Sequence, residues 1–130
     1  MKVSLRKGRH SVTTLYVHLV FVPKYRRQVF NADSLKLLEE SFNGVAGKMG
    51  FKLIEFNGES DHVHLLVEYP PRLSISALVN HLKGVSSRMY RKQFQSPHPE
   101  HLWSPSYFAS SCPGAPIEVL KKYVQDQKSP

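Results

Sequence analysis

The 130-residue sequence predicts an α+β fold: a ferredoxin-like split βαβ sandwich with an antiparallel sheet and two helices on one face, followed by a C-terminal helix. Three observations predict it. Apolar runs with β-branched and aromatic character alternate with two long stretches of helical period. The two strand-like runs between those helices are separated by an Asn-Gly dipeptide, a hairpin signal. Hydrophobic residues make up 41% of the chain and charged residues 22%, a balance that supports one ordinary core at this length.

Residues 1–11 are basic and polar and are read as an N-terminal arm. Thr13 to Val22, TTLYVHLVFV, reads as a buried strand that Pro23 ends. A basic connection, Lys24 to Phe30, follows. Asn31 to Ser34 supply helix-start chemistry. Leu35, Leu38, Phe42, Val45, Ala46 and Met49 then keep a helical period up to Gly50, a natural stop. Phe51 to Phe56 is a strand, Asn57-Gly58 the expected turn, and His62 to Tyr69 the partner strand. Ser74 caps a second helix with Ile75, Leu78, Val79, Leu82, Val85 and Met89 as its apolar stripe. Its other faces carry His81, Lys83, Ser86, Ser87, Arg88 and Arg91, cations and hydroxyls that could face phosphates. Leu102 to Ser111 is expected as a last strand, irregular or at an edge because of Pro105. Pro116 suits the first position of a final helix running to Gln127. One domain spanning residues 1–130 is expected.

The chain carries 18 Lys and Arg against 10 Asp and Glu, a formal charge of +8. The cations are not scattered. No acid precedes Asp33, and none lies between Glu68 and Glu100, whereas Lys24, Arg26, Arg27, Lys83, Arg88 and Arg91 fall in those tracts. Two acid-free basic tracts point to a polyanion, because neutralising phosphates releases counterions. Neither tract has the apolar moment of a membrane-surface helix, and no run is long enough to span a bilayer. The lone Cys112 excludes an intrachain disulfide and a thiolate zinc site, and fits a cytoplasmic protein. No phosphate-cradling glycine loop is present, so no nucleotide cofactor is expected.

The sharpest local feature is Asp61-His62-Val63-His64-Leu65-Leu66-Val67. Strand alternation puts His62 and His64 on one face and Val63, Leu65 and Val67 on the other. Two imidazoles so placed can reach one divalent ion, although a lone pair of this kind is more often structural. Asp61, Glu55, Glu59 and Gln127 are the candidates for a third ligand, and a mixed nitrogen and oxygen set suits Mg²⁺ or Mn²⁺ acting on phosphate. In the final helix Tyr123 and Gln127 are four residues apart and share a face. A tyrosine can act as a covalent nucleophile, or simply anchor a core. Trp103, Tyr107, Phe108 and Tyr90 could stack on unpaired bases, but most of them are expected in the core.

Taken together, LYVHLVFVPKYRRQVF (Leu15 to Phe30), DHVHLLVEYPP (Asp61 to Pro71), LKGVSSR (Leu82 to Arg88), LWSPSYF (Leu102 to Phe108) and KKYVQDQ (Lys121 to Gln127) resemble the single-domain HUH-type tyrosine transposases of small bacterial insertion sequences, the IS200/IS605-like family. The resemblance runs over nearly the whole chain. It implies a Mg²⁺ or Mn²⁺ ion held by His62, His64 and Gln127, with Tyr123 as nucleophile; Asp61, next to His62 in sequence, is then a candidate to support the set. It implies a homodimer that binds single-stranded DNA hairpins at element ends, in which one subunit's tyrosine helix (residues 116–127) can complete the other's metal site. Cleavage would leave a 5′-phosphotyrosine and a free 3′-hydroxyl, and a short DNA guide beside the hairpin would help choose the cleavage site. The turn that such proteins often build from glycines here reads Ser110-Ser111-Cys112-Pro113-Gly114-Ala115-Pro116, and its prolines would stiffen that hinge. A protein of this kind would work in the cytoplasm at the nucleoid. Two other readings fit the same residues. One is a non-catalytic single-stranded nucleic-acid-binding module on a ferredoxin-like sheet. The other is a domesticated relative acting on chromosomal repeats.

Overall fold

The computed structural model describes residues 14–111. The expected N-terminal arm and the 116–127 helix with Tyr123 and Gln127 lie outside the described residues, as does Cys112.

The first strand, β1 (Leu15–Phe21), leads through a 3-10 turn (Lys24–Arg26) into α1 (Ala32–Met49). Strands β2 (Lys52–Glu59) and β3 (His62–Tyr69) form a hairpin, α2 (Ile75–Gln93) follows, and β4 (Phe108–Ser111) is the last described strand. The strands pair in the order β2-β3-β1-β4, all antiparallel. This is the split βαβ arrangement, as expected.

Local chemistry fixes the helix ends. Asn31 accepts from the Ser34 N–H at 2.9 Å while Ser34 Oγ accepts from the Asn31 N–H at 2.9 Å, a reciprocal cap. Gly50 closes α1 at φ 86°, the left-handed conformation that glycine adopts without strain. Ser74 caps α2 through the Ala77 N–H at 3.1 Å. Both helices cover one face of the sheet. Leu38, Phe42, Leu78 and Leu82 pack there against Val17, Leu19, Phe21, Val63, Leu65 and Val67, all fully buried.

Three expectations are corrected. The hairpin turn falls at Ser60-Asp61, and Asn57 and Gly58 stay in the ladder opposite His64 and Val63. Gly58 serves close approach instead of a turn, since a Cβ there would run into Leu35 Cδ2 of α1. The last strand begins at Phe108, not Leu102. Trp103 turns into the core between Phe21, Phe30 and Phe42, and Lys83 Nζ binds the carbonyls of Ser104 and Ser106 at 2.6 and 3.2 Å, which bends the segment around Pro105. Ser86 and Ser87 are buried rather than displayed. Ser86 Oγ accepts the Trp103 indole N–H at 2.9 Å, and Ser87 Oγ accepts the Leu102 N–H at 3.1 Å.

Candidate nucleic-acid site

The sheet face opposite the helices carries the histidines. Antiparallel pairing of β1 with β3 sets Val20 against His64 and His18 against Leu66, so His18, His62 and His64 gather on one surface. All three are buried. The His62 and His64 rings lie edge to face with centroids 4.8 Å apart, and His18 stacks on His64 at 5.6 Å. Both histidines of the motif are engaged at Nδ1. His62 Nδ1 donates to Asp61 Oδ1 at 2.8 Å, which leaves its lone pair on Nε2. His64 Nδ1 lies 3.4 Å from His18 Nε2, close enough to share one proton. Burial, and secondarily the neighbouring His64, lowers the pKa of His18 to about 4, so it is neutral at physiological pH.

These histidines line a cavity of about 360 Å³ with Val20, Val22, Arg26 and Phe108. Arg26 is exposed, and its guanidinium is 3.9 Å from Asp61 Oδ2, so the carboxylate that orients His62 also faces a cation. Two imidazoles with engaged Nδ1 atoms can hold a divalent ion, and a hard one only with added oxygen ligands. Among the described residues no group of three or more His, Cys, Asp or Glu side chains is arranged to hold a metal. The proposed third ligand, Gln127, and Tyr123 lie outside the described residues. The structure therefore brings His62, His64, Asp61 and Arg26 together. His18 was not singled out from the sequence as a site residue. Its signal was present, as a lone histidine interrupting the apolar run of β1 in phase with Tyr16 and Val20.

The other basic tract lies along α2. A groove of about 390 Å³ runs between α2 and the 102–105 segment, with Lys83, Arg88 and Arg91 on its wall and Glu100 also present. The three cations differ. Arg88 is exposed. Arg91 Nε donates to Ser87 Oγ at 3.2 Å. Lys83 turns inward to the Ser104 and Ser106 carbonyls and over the Phe21 ring, and burial pushes its pKa below the usual lysine value. Lys24 is half-buried and Arg27 exposed. Of the aromatics, Trp103 and Tyr90 belong to the core, whereas Tyr107 and Phe108 are exposed.

A family model described as "Transposase IS200 like" matches residues 11–127. The transposase for insertion sequence element IS200 of Salmonella typhimurium (strain LT2) is 36% identical over 77 residues, 59% of this chain and 51% of that protein. The chain thus spans about half the length of that relative. The ISDra2 transposase TnpA of Deinococcus radiodurans is 30% identical over 131 residues, 98% of this chain and 94% of that protein. Among solved structures, a Deinococcus radiodurans R1 protein described as a transposase superposes with a TM-score of 0.72 at 31% identity, covering all of both chains. A REP-associated tyrosine transposase bound to a REP hairpin superposes with a TM-score of 0.64, covering 95% of this chain and 68% of that one. At 12% identity, that likeness speaks for the fold alone.

Proposed function

The chain belongs to the IS200-like transposase family, and on that premise we propose that it cleaves and rejoins single-stranded DNA at hairpins, with Tyr123 as nucleophile. The observation that carries the reading is the buried pair His62 and His64, co-facial on β3 and engaged at Nδ1, beside Arg26 in one cavity. The family match reaches residue 127, so the stretch with Tyr123 and Gln127 falls within it.

A divalent ion, Mg²⁺ or Mn²⁺, held by His62, His64 and Gln127 would polarise a non-bridging oxygen of the scissile phosphate. Asp61 holds His62 in the tautomer that presents Nε2. Arg26 sets a positive charge at the cavity wall, where a phosphate would enter. The Tyr123 phenolic oxygen attacks phosphorus in line. The phenol gives up its proton to solvent, the tyrosine–phosphate bond forms, the bond to the leaving 3′-oxygen breaks, and that oxygen takes up a proton from solvent as a free 3′-hydroxyl. A 5′-phosphotyrosine remains, and attack by a 3′-hydroxyl reverses the step and frees the phenol. The phosphodiester energy is retained, so rejoining needs no nucleotide cofactor. We further propose a single-domain homodimer acting in the cytoplasm on hairpins at element ends.

The test is a denaturing gel of the protein incubated with labelled single-stranded hairpin DNA and Mn²⁺. A covalent adduct is expected, lost in Tyr123→Phe while hairpin binding survives, and lost with chelator, His62→Ala or His64→Ala. Gln127→Ala should weaken the reaction less, since water can replace an amide oxygen. An adduct that persists in Tyr123→Phe would refute the nucleophile assignment.

A further inference from the structure

The turn after β1 holds an unusual side chain. Tyr25 (φ 64°, ψ 13°) and Arg26 (φ 50°) are the described non-glycine residues with positive φ. L-residues rarely adopt that conformation, and two in succession persist only where the surroundings impose it. Here they do. The Lys24 N–H donates to the Leu102 carbonyl at 2.8 Å, the Arg26 N–H donates to the Pro23 carbonyl at 2.9 Å, and Pro23 bridges to Trp103. The clamp gains no burial for Tyr25, whose residue is 59% exposed. Instead its ring lies beside two cations, with Lys24 Nζ and Arg27 Cζ each 5.4 Å from its centroid. The next residue, Arg26, lines the histidine cavity.

A strained turn that displays a flat ring beside two cations, with the next residue's cation lining the candidate phosphate site, is suited to unpaired nucleic acid. Every base has a π-face that can stack on such a ring, and the cations can track the adjoining phosphates. Resting on the reading of this chain as a single-strand DNA transposase, we propose that Tyr25 is the stacking platform for the unpaired base adjoining the phosphate held at the histidine cavity.

The experiment uses the full chain and a short oligothymidylate, about 15 nucleotides long, with one 2-aminopurine. No divalent ion is added, so binding is read without cleavage, by anisotropy and by quenching of the 2-aminopurine. Tyr25→Phe should keep wild-type affinity and quenching. Tyr25→Gly should lose about tenfold in affinity, together with the quenching. Because glycine relieves the backbone strain, Tyr25→Gly should melt at or above the wild-type temperature, which separates lost stacking from misfolding. Wild-type affinity in Tyr25→Gly, with Arg26→Ala still weakening binding, overturns the platform and leaves the DNA reading standing. Unchanged affinity with loss of dimer mass in Tyr25→Gly assigns the ring to a contact between copies, which also overturns it. Failure of the wild-type chain to bind the oligonucleotide overturns the platform, whereas the function it rests on is overturned separately, by absence of the covalent adduct with hairpin DNA and Mn²⁺.

Discussion

Asp61 shows how much one side chain can decide at the histidine pair. Its carboxylate accepts a hydrogen bond from His62 Nδ1–H and faces Arg26 on its other oxygen. Asp61→Ala frees the tautomer of His62, and Mn²⁺ affinity measured by calorimetry should fall about tenfold or more. Affinity equal to the wild type would remove Asp61 from the site. His18 gives a pH prediction for the metal-free protein. Its pKa falls from 6.5 in the unfolded chain to about 4 in the fold, so between those values the unfolded state binds more protons. Stability contributed by neutral His18 is therefore present above pH 6.5 and lost as pH falls toward 4. The melting temperature should drop across that window, and His18→Gln should flatten the drop; an unaltered slope would contradict it. The histidine motif and its alternation were legible in one strand. The His18 contact was not, because it depends on the register of β1 on β3, which no local pattern encodes.

Elements declare their ends more clearly than their partners. The caps of α1 and α2 were readable because capping is a contact between residues three apart. Asn31→Ala should cost about 1 kcal/mol in urea denaturation while leaving DNA affinity unchanged; no loss of stability would mean the cap is dispensable. Asn57-Gly58 forms ladder rather than turn: the signal for a turn and the signal for close approach are the same residue. Which one operates depends on where Leu35 of α1 arrives. Ser86 and Ser87 were assigned to the outer face from helical period alone, yet the 102–107 segment folds over them and takes their hydroxyls. Ser86→Ala leaves the buried Trp103 indole N–H without that acceptor and should destabilise by about 1–3 kcal/mol in the same assay. A neutral result would contradict the role given to that hydrogen bond.

At the scale of the molecule, cations from the two basic tracts line separate cavities. Arg26 belongs to the histidine cavity on the open sheet face, and Arg88 to the groove along α2. The segment from Leu102 to Phe108 joins them, since its start lines one and its end the other. Hairpin affinity should fall steeply with salt, and Arg88→Ala should reduce the slope of log affinity against log salt by about 1; an unchanged slope would take Arg88 out of the phosphate contacts. The fold class follows from the order of periods, but strand order and the placing of Arg26 and Arg88 at separate cavities require three dimensions. The central claim is that one phenol and the His62–His64 pair converge on a single phosphodiester. Its most direct measurement is peptide mass spectrometry of the protein trapped on hairpin DNA with Mn²⁺. The account predicts a 5′-phosphate-linked nucleotide on the peptide containing Tyr123, absent in His64→Ala. A nucleotide on Tyr25, on Tyr107 or on a serine would contradict it.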